Sequence, residues 1–153
     1  MQVTVIGCGY VGLCAGVCLA SAGHTVVGVE KIPEKLQSLK DGVCPIFEPG
    51  LAELMTENMR EGRLRFTEDV EDAIREADVV YLAVGTPPLP DGTADTQYLE
   101  AAGREVCDAL QSVGDSDREE PLVIIVKSTV PAGTNRKLSE FLHGSDDSLN
   151  VAV

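Results

Sequence analysis

The segment GCGYVGLCAG, residues 7–16, constrains the fold more than any other part of the chain. Its glycines at 7, 9 and 12 have the spacing G-x-G-x-x-G, and the apolar run 2–6 stands directly before it. In a parallel α/β sheet, Gly7 then permits a tight turn out of the first strand, and Gly12 lets the following helix pack closely. Because Gly9 has no side chain, a pyrophosphate can come close to the backbone there. The N–H groups at the N-terminus of the following helix attract such an anion. We therefore expect a dinucleotide-binding turn, the alternative being a merely tight strand–helix connection.

Strand and helix patterns alternate along the rest of the chain. Further strands are predicted at 25–29, 64–66, 78–84 and 122–126, and residues 150–153 resemble the beginning of another. Helices are predicted at 10–22, 33–40, 51–60 and 69–75, from the Asp95-Thr96 cap to about 111, and from the turn at 128–133 to about 142. This alternation is typical of a doubly wound, mostly parallel α/β sheet of the Rossmann type with helices on both faces. The length suits one domain, residues 1–153.

The second predicted strand leads into Glu30, eighteen residues after Gly12. A carboxylate at this place accepts hydrogen bonds from adenosine ribose hydroxyls and repels a 2′-phosphate, so it favours NAD over NADP. Lys35 follows and can face the same ribose, whereas the adjacent Lys31 could weaken the preference for NAD. The alternative for Glu30 is a solvated charge at the end of a strand.

Charge limits the classes of partner. The chain has 25 acidic and 12 basic residues, a net charge of −13, so nucleic acid and anionic membranes are not expected as partners. Generic solubility and a salt-rich cytoplasm both explain this excess. No apolar stretch reaches the roughly 20 residues that span a bilayer, and no basic segment marks a signal peptide, so we expect a cytoplasmic protein. The residues expected to form a solvated acidic face are Asp115, Asp117, Glu119, Glu120, Asp146 and Asp147.

Five cysteines occur without a C-x-x-C pair, and the chain has two histidines, His24 and His143. Cys14 and Cys18 share one face of the first predicted helix, and Cys8 lies inside the glycine loop. A metal cluster needs more thiolate or imidazole ligands at close spacing, so no metal site is expected. We expect buried free thiols in a reducing compartment.

Three further stretches have no role in a generic nucleotide-binding domain: PIFEPGL at 45–51, AVGTPPLPDGTADTQYLEAA at 83–102 and KSTVPAGT at 127–134. Together with IGCGYVGLCAGVCLASAGHTVVGVEK at 6–31, they resemble the N-terminal, NAD-binding domain of the UDP-glucose/GDP-mannose dehydrogenase family. The resemblance covers nearly the whole chain, and the four stretches together are far more specific than the glycine loop alone.

The resemblance implies roles for individual residues. It implies that NAD contacts Tyr10 and Val11 in the glycine loop, together with Glu30 and Lys35. Glu30 departs slightly from the family, which more often has aspartate at this position.

The resemblance also implies two contacts at strand ends. Thr86 would contact the cofactor after the fourth main strand, and Thr129 would lie near the nicotinamide and help to hold a water or the substrate oxygen during catalysis. An N-cap of the last helix is the alternative for Thr129. Pro87 and Pro131 are alternatively explained as residues that rigidify loops.

Four segments that contain candidate site residues lie at the carboxyl ends of predicted strands. Residues 7–12, 30, 85–87 and 128–130 each follow a predicted strand. Ligands of doubly wound sheets bind beyond the carboxyl ends of the strands, so we expect all four segments to open onto one crevice.

Members of the resembled family oxidise the C6 alcohol of a sugar nucleotide to a carboxylate with two NAD in succession. The resemblance implies a cysteine nucleophile in a C-terminal sugar-nucleotide domain, and none of the cysteines here matches its segment. We therefore expect that domain and the central helix, through which the family forms homo-oligomers, to lie outside this chain. We expect the chain alone to bind NAD without turnover.

The form AVGTPPLPDGTAD favours UDP-glucose as the sugar nucleotide, with GDP-mannose as the alternative. Two other classes stay open: a stand-alone NAD-binding module, and an unrelated Rossmann dehydrogenase such as one acting on hydroxy acids. The stretches PIFEPGL and KSTVP argue against the second, because other dehydrogenases do not need them.

Overall fold

A computed structural model describes residues 1–113, 120–145 and 151–153 of the chain. In these residues six strands form one sheet: β1 Gln2–Ile6, β2 Thr25–Val29, β3 Leu64–Thr67, β4 Val79–Leu82, β5 Leu122–Val126 and β6 Val151–Ala152. The helices of the same residues are α1 Tyr10–Ser21, α2 Pro33–Lys40, α3 Leu51–Arg60, α4 Val70–Ile74, α5 Gln97–Val113 and α6 Thr134–Ser145.

The strands lie in the order β3-β2-β1-β4-β5-β6, and each neighbouring pair is parallel. This order belongs to the dinucleotide-binding fold, in which winding reverses beside the first strand and leaves a crevice there. Ile6 pairs with Val29 on one side and with Leu82 on the other, so the carboxyl ends of β1, β2 and β4 lie level. The predicted doubly wound α/β fold is confirmed.

Apolar clusters cover both faces of the sheet. On one face, Leu99 and Leu110 of α5 pack with Leu122 of β5 and with α4 and α6. On the other, Val17 of α1 and Met55 of α3 pack against β1, β2 and β3. Strands buried on both faces need apolar residues at successive positions, which explains the nearly continuous apolar runs in β1 and β2.

The predicted elements agree with the observed ones, with differences at their ends. The strand predicted at 78–84 is shorter, since β4 ends at Leu82. The long helix after the Asp95-Thr96 cap extends to Val113, and Asp95 Oδ1 accepts the N–H of Gln97 at 3.0 Å. Glu120 is exposed as expected. The other residues predicted for the acidic face lie outside the described part of the chain: Asp115, Asp117, Glu119, Asp146 and Asp147.

The expectation of buried thiols is wrong for three of the five cysteines. Cys8 and Cys107 are buried, Cys14 and Cys44 are half-buried, and Cys18 is exposed; all five are free. Helix α1 packs on the sheet through Leu13, Gly16, Val17 and Ala20, which leaves Cys14 at the edge of the apolar cluster and Cys18 exposed. Within the described ranges, none of the helices has the length and apolarity that crossing a bilayer requires.

Candidate cofactor-binding site

The glycine turn after β1 is tightly enclosed by backbone. Gly7 has φ +95°, a conformation that favours glycine, and its N–H donates to the carbonyl of Val29 at 3.0 Å. A Cβ on Gly7 would lie 2.8 Å from the carbonyl oxygen of Ala83, and one on Gly12 would lie 1.9 Å from that of Gly7. Both positions exclude a side chain, as the spacing predicted.

The start of α1 is open. Gly9 is its N-cap, no side chain caps the helix, and no acidic residue stands in the first turn. Among the described residues other than its chain neighbours, no atom lies within 4 Å of the position that a Cβ on Gly9 would take. The first N–H groups of a helix have no partner within it, so this N-terminus offers donors and partial positive charge to an anion.

A cleft of about 460 Å³ opens beside this helix start, at the carboxyl ends of β1, β2 and β4. Gly7 and Gly9 line it from the turn, Glu30 and Lys35 from the segment after β2, and Gly85 from the loop after β4. Three of the four segments expected at one crevice therefore meet there, while residues 128–130 do not line it.

Glu30 is held rigidly at the end of β2. It is 6% exposed, so it is not the solvated strand-end charge considered as its alternative. Its Oε1 accepts the backbone N–H groups of Lys31 at 3.0 Å and Ile32 at 3.1 Å, and its Oε2 lies 2.6 Å from Nζ of Lys35. Each carboxylate oxygen has two acceptor sites; those of Oε1 are both used, so Oε2 keeps one for a ribose hydroxyl.

One face of α5 forms the opposite wall, which the sequence reasoning missed. Tyr98, Ala101, Ala102 and Glu105 line the cleft. Their spacing places them on one side of a helix. The sequence shows this spacing, but alanines at these intervals are equally typical of a helix face that packs in a core.

Lys31 also lines the cleft and reaches across it. Its Nζ lies 3.2 Å from Oε2 of Glu105, so this ion pair joins the segment after β2 to α5.

Tyr10, Val11 and Gly12 do not line the cleft themselves. Tyr10 and Val11 are 57% and 48% exposed. The Tyr10 hydroxyl donates to a carboxylate oxygen of Glu48 in the PIFEPGL stretch, and this contact raises the pKa of the Tyr10 phenol. Tyr10 thereby links the helix start to the loop at 43–50.

Thr86 and Thr129 lie on two loops that are bonded to each other. Thr86 Oγ1 donates to the carbonyl of Thr129 at 2.8 Å, and Ser128 Oγ donates to that of Val84 at 2.7 Å. Ser128 was not predicted as a site residue, although it lies two residues after the end of β5. The N-cap alternative for Thr129 is wrong, because α6 begins at Thr134.

The donors of the cleft suit a dinucleotide. The helix start offers N–H groups to a diphosphate, the open position at Gly9 leaves space for it, and the Glu30 carboxylate can accept bonds from a ribose. In the described part of the chain, no three histidine, cysteine, aspartate or glutamate side chains gather where they could hold a metal ion.

Comparison with known proteins gives concordant results. The chain is 44% identical to a UDP-glucose 6-dehydrogenase of Rhizobium meliloti (strain 1021), over 100% of this chain and 33% of that protein. The structure of a GDP-mannose dehydrogenase from Pseudomonas aeruginosa matches with a TM-score of 0.83 and 34% identity, covering 94% of this chain and 33% of that one. The structure of a UDP-glucose dehydrogenase from Pyrobaculum islandicum matches with a TM-score of 0.81 and 40% identity. The match covers 93% of this chain and 33% of that one.

The chain thus spans about a third of the length of the curated relative and of both structures. A family model described as the NAD binding domain of the UDP-glucose/GDP-mannose dehydrogenase family matches residues 1–153. The strand order, the glycine turn and the cleft agree with this match. The chain therefore belongs to the UDP-glucose/GDP-mannose dehydrogenase family, of which it forms the NAD-binding domain.

Proposed function

We propose that this domain holds NAD for the oxidation of the C6 alcohol of UDP-glucose to UDP-glucuronate. One observation supports the NAD site most strongly: the buried carboxylate of Glu30 and the uncapped start of α1 face the same cleft. The relative at 44% identity and the structure at 40% identity, both named as UDP-glucose dehydrogenases, support the substrate. GDP-mannose is the second candidate, supported by the structural match to a GDP-mannose dehydrogenase.

We propose that the diphosphate lies at the N-terminus of α1, where the backbone N–H groups of Tyr10, Val11 and Gly12 donate to it. Oε2 of Glu30 accepts a hydrogen bond from an adenosine ribose hydroxyl, and Lys35 holds the Glu30 carboxylate in place from 2.6 Å. NAD, when bound, supplies the acceptor for the hydride that leaves the alcohol carbon.

The loops after β4 and β5 form the end of the site nearer the reaction. Thr86 fixes the backbone of Thr129 by donating to its carbonyl, and the side chain of Thr129 is exposed. In this proposal the Thr129 hydroxyl holds a water or the substrate oxygen beside the nicotinamide, and Thr86 contacts the cofactor.

The rest of the reaction depends on segments that the relatives have in the other two thirds of their length. We propose that a C-terminal sugar-nucleotide domain supplies the remaining chemistry, that a central helix forms the homo-oligomer, and that residues 1–153 alone bind NAD without turnover. A cytoplasmic protein suits this role, and the net charge of −13 disfavours nucleic acid and anionic membranes as partners.

Calorimetric titration with NAD and NADP tests the cofactor site. The 153-residue chain is expected to bind NAD more tightly than NADP, and Glu30→Ala to lose this preference because the carboxylate that repels a 2′-phosphate is gone. Glu34→Ala is the matched control, since Glu34 is an exposed acid in the first turn of α2 and does not line the cleft. Equal affinity of the native chain for both cofactors would contradict the role of Glu30.

Absorbance at 340 nm tests the absence of turnover. No NADH is expected when the 153-residue chain is mixed with NAD and UDP-glucose. NADH formation by this chain alone would contradict the assignment of the remaining chemistry to another domain.

A further inference from the structure

Two lysines and two glutamates line the cleft together: Lys31 and Lys35, with Glu30 and Glu105. Residues 30–35 contain two glutamates and two lysines, but Glu34 does not line the cleft, so this segment brings one carboxylate and two ammonium groups to it and leaves one positive charge unmatched there. The structure supplies the missing negative charge from α5, 74 residues along the chain from Lys31.

The pairing is one to one. Glu30 holds Lys35 at 2.6 Å, with both side chains largely covered. Glu105 holds Lys31 at 3.2 Å, with the two side chains 46% and 52% exposed. Glu30 has its other oxygen engaged by two backbone N–H groups, so Lys31 relies on Glu105 for its ion pair.

This arrangement bears on the choice between NAD and NADP. An unpaired lysine ammonium next to the ribose site is a ready partner for a 2′-phosphate, whose oxygens accept strong charge-assisted bonds. With Glu105 in place, Lys31 is already paired, and a second carboxylate adds repulsion against the phosphate. Without Glu105, the four-residue group would change from neutral to a net charge of +1.

We propose that Glu105 is a specificity-determining residue that pairs with Lys31 and so helps to exclude NADP. This inference rests on the proposed binding of the adenosine ribose at Glu30. It assigns cofactor choice to two carboxylates on different elements, one at the end of β2 and one on α5.

The test compares NAD and NADP dissociation constants by calorimetry for the native chain and for Glu105→Gln, Lys31→Met and the double variant. Glu105→Gln is expected to tighten NADP binding about threefold or more, the upper range for a half-exposed charge pair, and to leave NAD within about twofold. In the Lys31→Met background, Glu105→Gln is expected to give a smaller gain in NADP affinity, because only the repulsion between Glu105 and the phosphate is then removed. The gain is also expected to shrink as salt is raised, because the pair is open to solvent.

Glu100→Gln is the matched control. It removes the same charge from the same helix, and Glu100 pairs with Arg104 at 3.7 Å and does not line the cleft. An unchanged ratio of NADP to NAD affinity in Glu105→Gln would overturn the inference. The inference would also be overturned if Glu100→Gln increased NADP affinity as much as Glu105→Gln does. The same holds if Glu105→Gln increased NADP affinity fully in the Lys31→Met background. If the native chain fails to bind NAD at all, the proposed function itself fails; if it binds NAD and the ratio does not move, only the role of Glu105 is refuted.

Discussion

Replacing Gly12 with alanine tests the packing of the glycine turn, because the obstacle is backbone. The new Cβ would lie 1.9 Å from the carbonyl oxygen of Gly7. Gly7 has little room to move, since its N–H is bonded to Val29 and its own Cα faces the carbonyl of Ala83. Overpacking of this kind costs about 1–3 kcal/mol, and the rigid surroundings place Gly12→Ala at the upper end.

Gly16→Ala is the matched control on the same helix. There the new Cβ would meet Val26 at 3.5 Å and Val5 at 3.6 Å, both ordinary van der Waals distances. Alanine is favoured over glycine inside a helix by up to about 1 kcal/mol, so Gly16→Ala is expected to be neutral or stabilising. Allowing Gly12→Ala part of the same gain, we expect the two variants to differ by about 3 kcal/mol in free energy of unfolding.

Urea denaturation followed by circular dichroism measures this difference. For a domain of this size, about 3 kcal/mol corresponds to a gap of about 6–12 °C in Tm, so thermal unfolding provides a second measurement. A Gly12→Ala variant as stable as Gly16→Ala would refute the close packing of α1 on the turn.

Two further predictions concern the effect of Gly9 on NAD binding and the reactivity of the thiols of Cys8 and Cys18. Gly9→Ala is expected to keep a free energy of unfolding within about 1 kcal/mol of the native value and yet to lose most NAD affinity in calorimetry. Its Cβ meets none of the described residues beyond its chain neighbours but enters the proposed diphosphate position; unchanged NAD affinity would contradict that position. Burial raises the pKa of the Cys8 thiol to about 12, from 9.0, so at pH 8 a thiol reagent is expected to modify exposed Cys18 and to leave Cys8 unreacted in the folded protein. Between pH 9 and 12 Cys8 ionises in the unfolded chain and not in the folded one, so the free energy of unfolding falls as pH rises through that range. Cys8→Ala is expected to lose less stability over this range than the native chain, and equal losses would contradict the raised pKa of Cys8.

The fold was predictable because its signals are local. The glycine spacing, the apolar strand before it and the alternation of short strands with helices all lie within windows of a few residues. Element ends were less certain: β4 ends at Leu82 rather than at 84, although residues 83 and 84 continue the apolar run. There the backbone leaves the sheet to meet the turn at Gly7, a contact between distant segments.

The site residues that belong to one segment of the chain were predictable, whereas contacts between distant segments were not. Glu30 and Lys35 come from one strand end and the helix after it, and they lie together in the cleft as expected. The wall formed by α5 and the pairing of Lys31 with Glu105 depend on how α5 docks, and no local pattern specifies that. Thr129 was ambiguous for the same reason, since its carbonyl is bonded to Thr86, 43 residues earlier.

The position of β1 between β2 and β4 has a consequence for how the domain assembles. Residues 1–67 contain β1, β2 and β3, which are neighbours in the sheet, so this half can pair early through contacts that are close in sequence. The cleft, however, needs β4 and α5, and β4 joins β1 from more than 70 residues away. A complete pocket for the coenzyme therefore exists only when β4 has paired with β1. The binding energy of the coenzyme stabilises the docked arrangement of the two halves, and added NAD should protect the β1–β4 amides from hydrogen exchange.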